Sequence, residues 1–261
     1  IMFYKDVGHS QEGAKEVTKL LEAGAFDGPK PVRLLTRLIT LANLKDNSIV
    51  LDFFSGSSTT AHALMQINAD KESHRKFIMV QVPELCSETG TAYKAGYKNI
   101  CEIGKERIRR AGKKIKEDSP LTTQDLDIGF RVLKCDTSNM KEVYYNPADY
   151  EADLFDFMTD NIKEDRTPED LLFQVMLDLG IELSSKIEET VIADKKVFDV
   201  ADGFLIACFD AEVNDETIKA IAQKEPYYFV MRDSSLANDS VAANFEQIFA
   251  AYSPDTVRKV L

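Results

Sequence analysis

The stretch Val50-Leu51-Asp52-Phe53-Phe54-Ser55-Gly56-Ser57-Ser58-Thr59-Thr60-Ala61 decides the fold. It belongs to an apolar run, Ser48 to Phe54, with the length and composition of a buried parallel strand. The small residues Ser55-Gly56-Ser57-Ser58 then form a turn, and a helix is expected from Thr59 to about Ile67. Lys76 to Val82 reads as a second strand that ends at Pro83-Glu84. A strand, a helix and a strand in that order make a parallel crossover of ordinary length. The chain is therefore expected to be α/β.

The same stretch carries candidate chemistry. Its strand would deliver Asp52 and Phe54 to the carboxyl end of the sheet, where open α/β sheets bind ligands. Gly56 has no Cβ and lets backbone approach a ligand closely. The helix start at Thr59 and Thr60 favours an anion such as a carboxylate, and Asp52 suits an ammonium. An ordinary strand–helix turn stands as the alternative for this segment alone. Glu84, just past the second strand, can accept both hydroxyls of a ribose. The two acids form a pair, with an amino-acid end at the first strand and a nucleoside end at the second.

Outward from this centre, residues 10–23 and 32–44 read as helices, and Gly28-Pro29-Lys30-Pro31 as a turn or extended stretch between them. Tyr97 to Lys116 reads as a long helix in which Lys105, Arg107, Arg109, Arg110, Lys113, Lys114 and Lys116 crowd together. Spread over about three turns, they are either a solvated face or a contact for phosphate or an acidic partner. Ser119-Pro120-Leu121-Thr122-Thr123 marks a boundary, giving domains of 1–119 and 120–261. Beyond it, Gly129–Leu133, Ile187–Ile192, Val197–Val200, Phe204–Phe209 and Tyr227–Met231 read as strands. Helices are expected at Pro168–Leu179, with Thr167 as N-cap, and at Asp215–Gln223 and Val241–Tyr252. This second region reads as a small α/β domain.

The 261 residues, 44% apolar and 29% charged, read as soluble and globular, with no apolar run near the roughly 20 needed to span a bilayer, no leader pattern, and isolated cysteines that fit the cytoplasm. The net charge of −12 is unevenly spread. Residues 1–119 hold 19 Lys and Arg against 15 Asp and Glu; residues 120–261 hold 13 against 29. A phosphate backbone would be repelled by the second region, which we assign to protein contacts. Cys86, Cys101, Cys135 and Cys208 form no CxxC pair and read as reduced thiols. His9, His62 and His74 share no metal-ligand spacing, so no metal site is expected.

Asp52-Phe53-Phe54-Ser55-Gly56-Ser57-Ser58-Thr59-Thr60 resembles the cofactor motif of DNA amino-methyltransferases. Lys30-Pro31 and the helix after it resemble the segment that precedes that motif in the permuted (beta) class. Asp6-Val7-Gly8-His9, Thr91 to Tyr97, Gly104 to Gly112, Asp127 to Phe130, Asp136 to Asn139 and Arg232 to Ser235 are similar to stretches of the modification subunits of type III restriction systems, in the same order. The resemblance covers almost the whole chain. It implies a Rossmann-like S-adenosylmethionine-dependent methyltransferase core, present in part, joined to the smaller α/β domain. It implies adenine-N6 methylation of double-stranded DNA by the intact protein, with a restriction subunit or a second modification subunit as partner. The cofactor would be held by Lys30, Pro31, Asp52, Phe54, Gly56, Ser57, Ser58, Thr59, Thr60 and Glu84.

Two departures stand out. The family usually has glycine where Ser58 stands; with φ negative the change costs little, with φ positive about 1–2 kcal/mol. The family also methylates through an Asp-Pro-Pro-Tyr tetrad that grips the amine of a flipped-out adenine. Asn146-Pro147-Ala148-Asp149 lacks the second proline and the aromatic ring, and Glu225-Pro226-Tyr227-Tyr228 lacks the second proline and lies in the wrong region. In the permuted class the tetrad and the target-recognition domain lie upstream of Lys30. We therefore expect the chain, which opens on Ile1, to be the C-terminal part of a longer protein with no catalytic residue of its own. The rival reading is a non-catalytic protein-interaction module derived from such a subunit.

Overall fold

The computed structural model describes residues 2–141 and 161–261. The chain divides into two compact units, Ile1–Leu133 and Lys134–Leu261. Both mix helices and strands.

The first unit runs α1 (Tyr4–Val7), α2 (Ser10–Leu20), α3 (Val32–Leu41), β1 (Ile49–Asp52), α4 (Thr59–Lys71), β2 (Lys76–Met79), α5 (Thr91–Lys94) and α6 (Ile100–Asp118). β1 and β2 pair in parallel, from Ile49 opposite Lys76 to Asp52 opposite Met79, and α4 is the crossover that a parallel pair requires. Helix α4 is apolar on most sides and is accordingly buried on most sides. Ala61 and Met65 join Val17, Leu20, Ile103 and Ile108 of α2 and α6 in one cluster. Ala63, Leu64 and Ile67 pack with Ile39 of α3 and with Val50 and Phe77 of the strands. The period-two alternation of a strand turns Val50 and Phe77 to the helices. It leaves Ile49, Leu51 and Ile78 exposed by 57%, 58% and 50%, so the other face of the pair is apolar and open.

Gly129–Leu133, expected as a strand, carries no regular secondary structure and lies outside any sheet. Its neighbours explain why. Ile128 and Phe130 pack on the core around α6, Ile128 fits against Gly112, where a Cβ would come within 2.8 Å, and the Arg109 guanidinium lies 5.5 Å from the centre of the Phe130 ring. The segment gives its side chains to a helix and has no strand alongside to complete a ladder. This packing carries the first unit past the Ser119–Thr123 stretch to Leu133.

The second unit runs α7 (Pro168–Asp178), β3 (Ile187–Ile192), β4 (Lys195–Val200), β5 (Leu205–Cys208), α8 (Asp215–Ala222), β6 (Tyr228–Met231), α9 (Asp239–Tyr252) and β7 (Val257–Val260). The five strands among its described residues lie in chain order. β3, β4 and β5 pair antiparallel, and β5, β6 and β7 pair in parallel through α8 and α9. Thr167 and Asp170 form a reciprocal capping box, with Pro168 in the first turn of α7. β5 is buried along its whole length, and its two faces feed separate clusters, Leu205 and Ala207 with α7, Ile206 and Cys208 with α8 and α9. All four cysteines of the chain are free.

Candidate functional site

The turn between β1 and α4 is held from three sides. Main-chain bonds continue the strand pairing beyond β2: Val80 N–H donates to Asp52 O at 2.9 Å, and Ser55 N–H to Val80 O at 3.1 Å. Gly56 N–H then donates to Gln81 Oε1 at 2.7 Å. Gly56 has φ of +52°, and a Cβ there would meet the Phe26 ring at 3.1 Å, so both backbone hand and close packing ask for glycine.

Ser58 is the N-cap of α4, with φ 57° and ψ 39° and no side-chain cap. It adopts the positive-φ alternative, at a cost of about 1–2 kcal/mol. Gly104 of α6 makes room for it: a Cβ at 104 would lie 2.7 Å from Ser58 Oγ and 3.2 Å from Gly56 O. The first-turn N–H groups of α4 are thus left without a side-chain cap, the arrangement in which a helix start can receive an anion.

Around this turn the structure gathers most of the residues singled out from the sequence. Asp52 ends β1, and its Oδ2 accepts from Thr60 Oγ1 at 2.5 Å. Thr59 Oγ1 donates to Lys30 O at 3.2 Å, so Lys30 enters through its carbonyl while its side chain is exposed. Pro31 is buried and caps α3. Ser57, Ser58, Thr59 and Thr60 are all buried. Two residues stand apart on the surface. Phe54 is 73% exposed, edge-on to Phe53. Glu84 lies beyond β2 with an exposed side chain, its carbonyl accepting from Ile100 N–H at 3.0 Å.

One contributor escaped the sequence reading. Arg107, placed there among the charges of the basic helix, is wholly buried. Its Nη1 donates to Ser57 Oγ and to Thr59 Oγ1, each at 2.7 Å, with Ser57 O at 3.5 Å. Its Nε and Nη2 are buried without a hydrogen-bond partner. Burial pulls the guanidinium down to about 10, opposed by the charge of Glu16. Glu16 Oε2 in turn accepts from Val32 N–H at 2.8 Å, at the start of α3. Burial raises the Glu16 carboxyl despite that bond. The signal was present in the sequence: Arg107 falls on the apolar stripe Ile103, Ile108, Ala111, Ile115 of α6.

The other α6 cations are tied up nearby. Lys105 pairs with Glu102, Arg109 and Arg110 with Glu106, Lys113 with Glu117 and Lys114 with Asp118, while Lys116 donates to Gln124 O. Self-paired charges at this spacing are what a solvated helix face carries. His62 has a buried Nδ1 without a hydrogen-bond partner; burial, then the Arg107 charge, push it down to about 4. Among the described residues no group of His, Cys, Asp and Glu could hold a metal. No helix among them is long and apolar enough to cross a membrane. Asn146-Pro147-Ala148-Asp149 lies outside the described residues. Pro226 and Tyr227 serve structure: Pro226 O accepts from Thr256 Oγ1 at 2.6 Å, and Tyr227 stacks on Phe204.

Residues 3–111, within the first unit, match the family described as DNA methylase. The chain is 43% identical over 129 residues to the type III restriction-modification enzyme StyLTI Mod subunit of Salmonella typhimurium, an alignment covering 49% of this chain and 19% of that protein. It is 41% identical over 134 residues to the EcoPI Mod subunit of Escherichia phage P1, covering 51% and 20%. The type II methyltransferase M.KpnI of Klebsiella pneumoniae is 32% identical over 100 residues, covering 38% and 24%. The chain thus spans about a fifth of the length of these modification subunits.

Proposed function

We propose that the chain is the S-adenosylmethionine-binding part, with the C-terminal domain, of a DNA adenine-N6 methyltransferase of a type III restriction–modification system. On this reading the first unit is part of a Rossmann-like core, and the catalytic tetrad and the target-recognition domain belong to other parts of the protein. The observation that carries the reading is the β1–α4 turn: a carboxylate at the strand end, a left-handed Gly56, and an uncapped helix start lined by buried hydroxyls. The donor set fits the cofactor. Asp52 offers an acceptor for its ammonium, the first turn of α4 N–H groups for its carboxylate, and Glu84 an exposed acceptor for its ribose diol. Lys30 and Pro31 shape the wall behind Thr59, and Phe54 is an exposed ring at the edge of the turn. When bound, the cofactor supplies the electrophilic methyl group. In this chain Asp52, Glu84 and the turn orient it.

On this reading the substrate is double-stranded DNA, the partner a restriction subunit or a second modification subunit, and the location the cytoplasm; the relatives' names support the restriction–modification setting. The acidic second unit is assigned to those protein contacts.

Isothermal titration with S-adenosylmethionine tests the reading. Asp52→Ala and Glu84→Ala each remove a charged acceptor, worth about 1.5–3 kcal/mol, and should weaken binding roughly tenfold or more. Unchanged affinity in Glu84→Ala would remove the ribose assignment. No binding by the parent chain at millimolar ligand would return the chain to the class of interaction modules.

A further inference from the structure

We propose that Arg107 is a positioning residue that holds the Ser55–Thr59 turn in its ligand-receiving shape before any ligand arrives. The functional half of this inference rests on the cofactor reading above; the structural half does not.

A guanidinium buried this completely is a poor choice for stability alone. Removing such a charge from water is costly, and a well-packed apolar side chain in its place is often neutral or better. Arg107 also leaves Nε and Nη2 buried without hydrogen-bond partners, so most of its donors earn nothing in packing terms. The work is concentrated in Nη1. Its two hydrogens match its two short contacts, Ser57 Oγ and Thr59 Oγ1, at 2.7 Å each. Thr59 Oγ1 passes its own hydrogen to Lys30 O at 3.2 Å. One nitrogen therefore links α6, the turn, the start of α4 and the Lys30-Pro31 segment.

The turn needs such a tie. It holds two departures from ordinary backbone two residues apart, Gly56 at φ +52° and Ser58 at φ +57°, and Ser58 prefers other regions of the map. Without an outside constraint the turn would sample other shapes, and ligand affinity would fall by the fraction of time spent in them. Gly104, one helical turn before Arg107 on α6, admits the Ser58 hydroxyl and the Gly56 carbonyl to the same face.

The test uses the full chain and two readouts. The first is amide hydrogen exchange in ligand-free protein. Arg107→Met, which fills the volume without donors, should leave overall melting close to the parent's while speeding exchange at Gly56 and Ser58 about tenfold or more. Arg107→Lys, which keeps charge and donors, should restore part of the protection. The second is titration with S-adenosylmethionine, where Arg107→Met should weaken binding about tenfold and Arg107→Lys less. Exchange at Gly56 and Ser58 equal to the parent's in Arg107→Met would overturn the proposal, whatever the ligand does. Loosened exchange with unchanged affinity would overturn its functional half. If the parent binds no cofactor, the cofactor reading fails while the exchange result still decides whether Arg107 holds the turn. Should Arg107→Met fail to fold, Ser57→Ala and Thr59→Val remove the acceptors one at a time. Faster exchange at Ser58 in either supports the tie, and parent-like exchange in both sinks it.

Discussion

In the second unit Leu205, Ile206, Ala207 and Cys208 of β5 are all without solvent contact, whereas in β1 only alternate residues turn inward and Leu51 is 58% exposed. The polar residues divide the other way. Ser55, Ser57, Ser58, Thr59, Thr60 and Arg107 are buried around one turn of the first unit, while the buried hydroxyls of the second, such as Thr217, Ser253 and Thr256, lie at helix caps and turns. One region spends its interior on apolar packing. The other sets a strained, hydrogen-bonded turn beside its apolar clusters. Positive-φ backbone alone does not single out that turn, since Ala193, Asp194, Ala201, Asp202, Glu212 and Glu225 of the second unit share it; what sets the turn apart is that Ser58 is buried among hydroxyls tied to a buried guanidinium.

The largest effect that would break this comparison lies in the apolar core. Phe229 is fully buried, with Phe249 at 5.3 Å and Phe245 at 6.0 Å between ring centroids. Phe229→Ala should cost about 3–5 kcal/mol in urea unfolding. Leu51→Ala, on the open face of β1, should cost less than about 1 kcal/mol, since little area leaves water there. Equal losses would mean that the open face is covered in solution.

Acid should separate the units next. All three histidines lie in the first unit. His62 in the folded chain is pushed down to about 4 from its ordinary 6.5. Between those values the unfolded chain holds a proton that the folded chain refuses, so stability is full above pH 6.5 and falls as pH drops toward 4. The loss attributable to this one group is about 2–3 kcal/mol. His62→Gln should flatten the decline between pH 7 and 4 by that amount, seen at the amides of α4 and not at those of β5. Parallel pH profiles for parent and variant would show that His62 is solvated.

How much of this was legible beforehand follows the same divide. The strand–turn–helix–strand of the first unit could be read because an apolar run, a cluster of small residues and an apolar helix come in sequence. So could α7, from Thr167 and Pro168. β7 could not: Arg258 and Lys259 interrupt its apolar character, and it gains its place at the sheet edge from β6 alone. Gly129–Leu133 has the composition of a strand and lacks only a neighbour, which no local pattern reveals. Asp52, Gly56 and the hydroxyl run could be singled out because their chemistry is local. Arg107 was submerged in a count of charges, although the apolar stripe of α6 had reserved its position for a buried side chain.

The smallest expected effect bears most directly on what the strained turn is for. Ser58→Gly should relieve about 1–2 kcal/mol of left-handed strain and give back about 0.5–1 kcal/mol in backbone entropy, for a net gain near 1 kcal/mol. The second unit supplies its own control. Ala193, in the β3–β4 turn, has φ of +46°, and Ala193→Gly should gain a similar amount by the same arithmetic. Stability alone therefore cannot mark Ser58 as part of a site. Cofactor titration can. Ser58→Gly should alter S-adenosylmethionine affinity, upward if the hydroxyl and Cβ crowd the ligand and downward if the freed glycine lets the turn wander. Ala193→Gly should leave it unchanged. Thermal melts of the three proteins together with their titrations make the comparison. Equal affinity in all three would mean that Ser58 is strained for packing against Gly104 and takes no part in holding the cofactor.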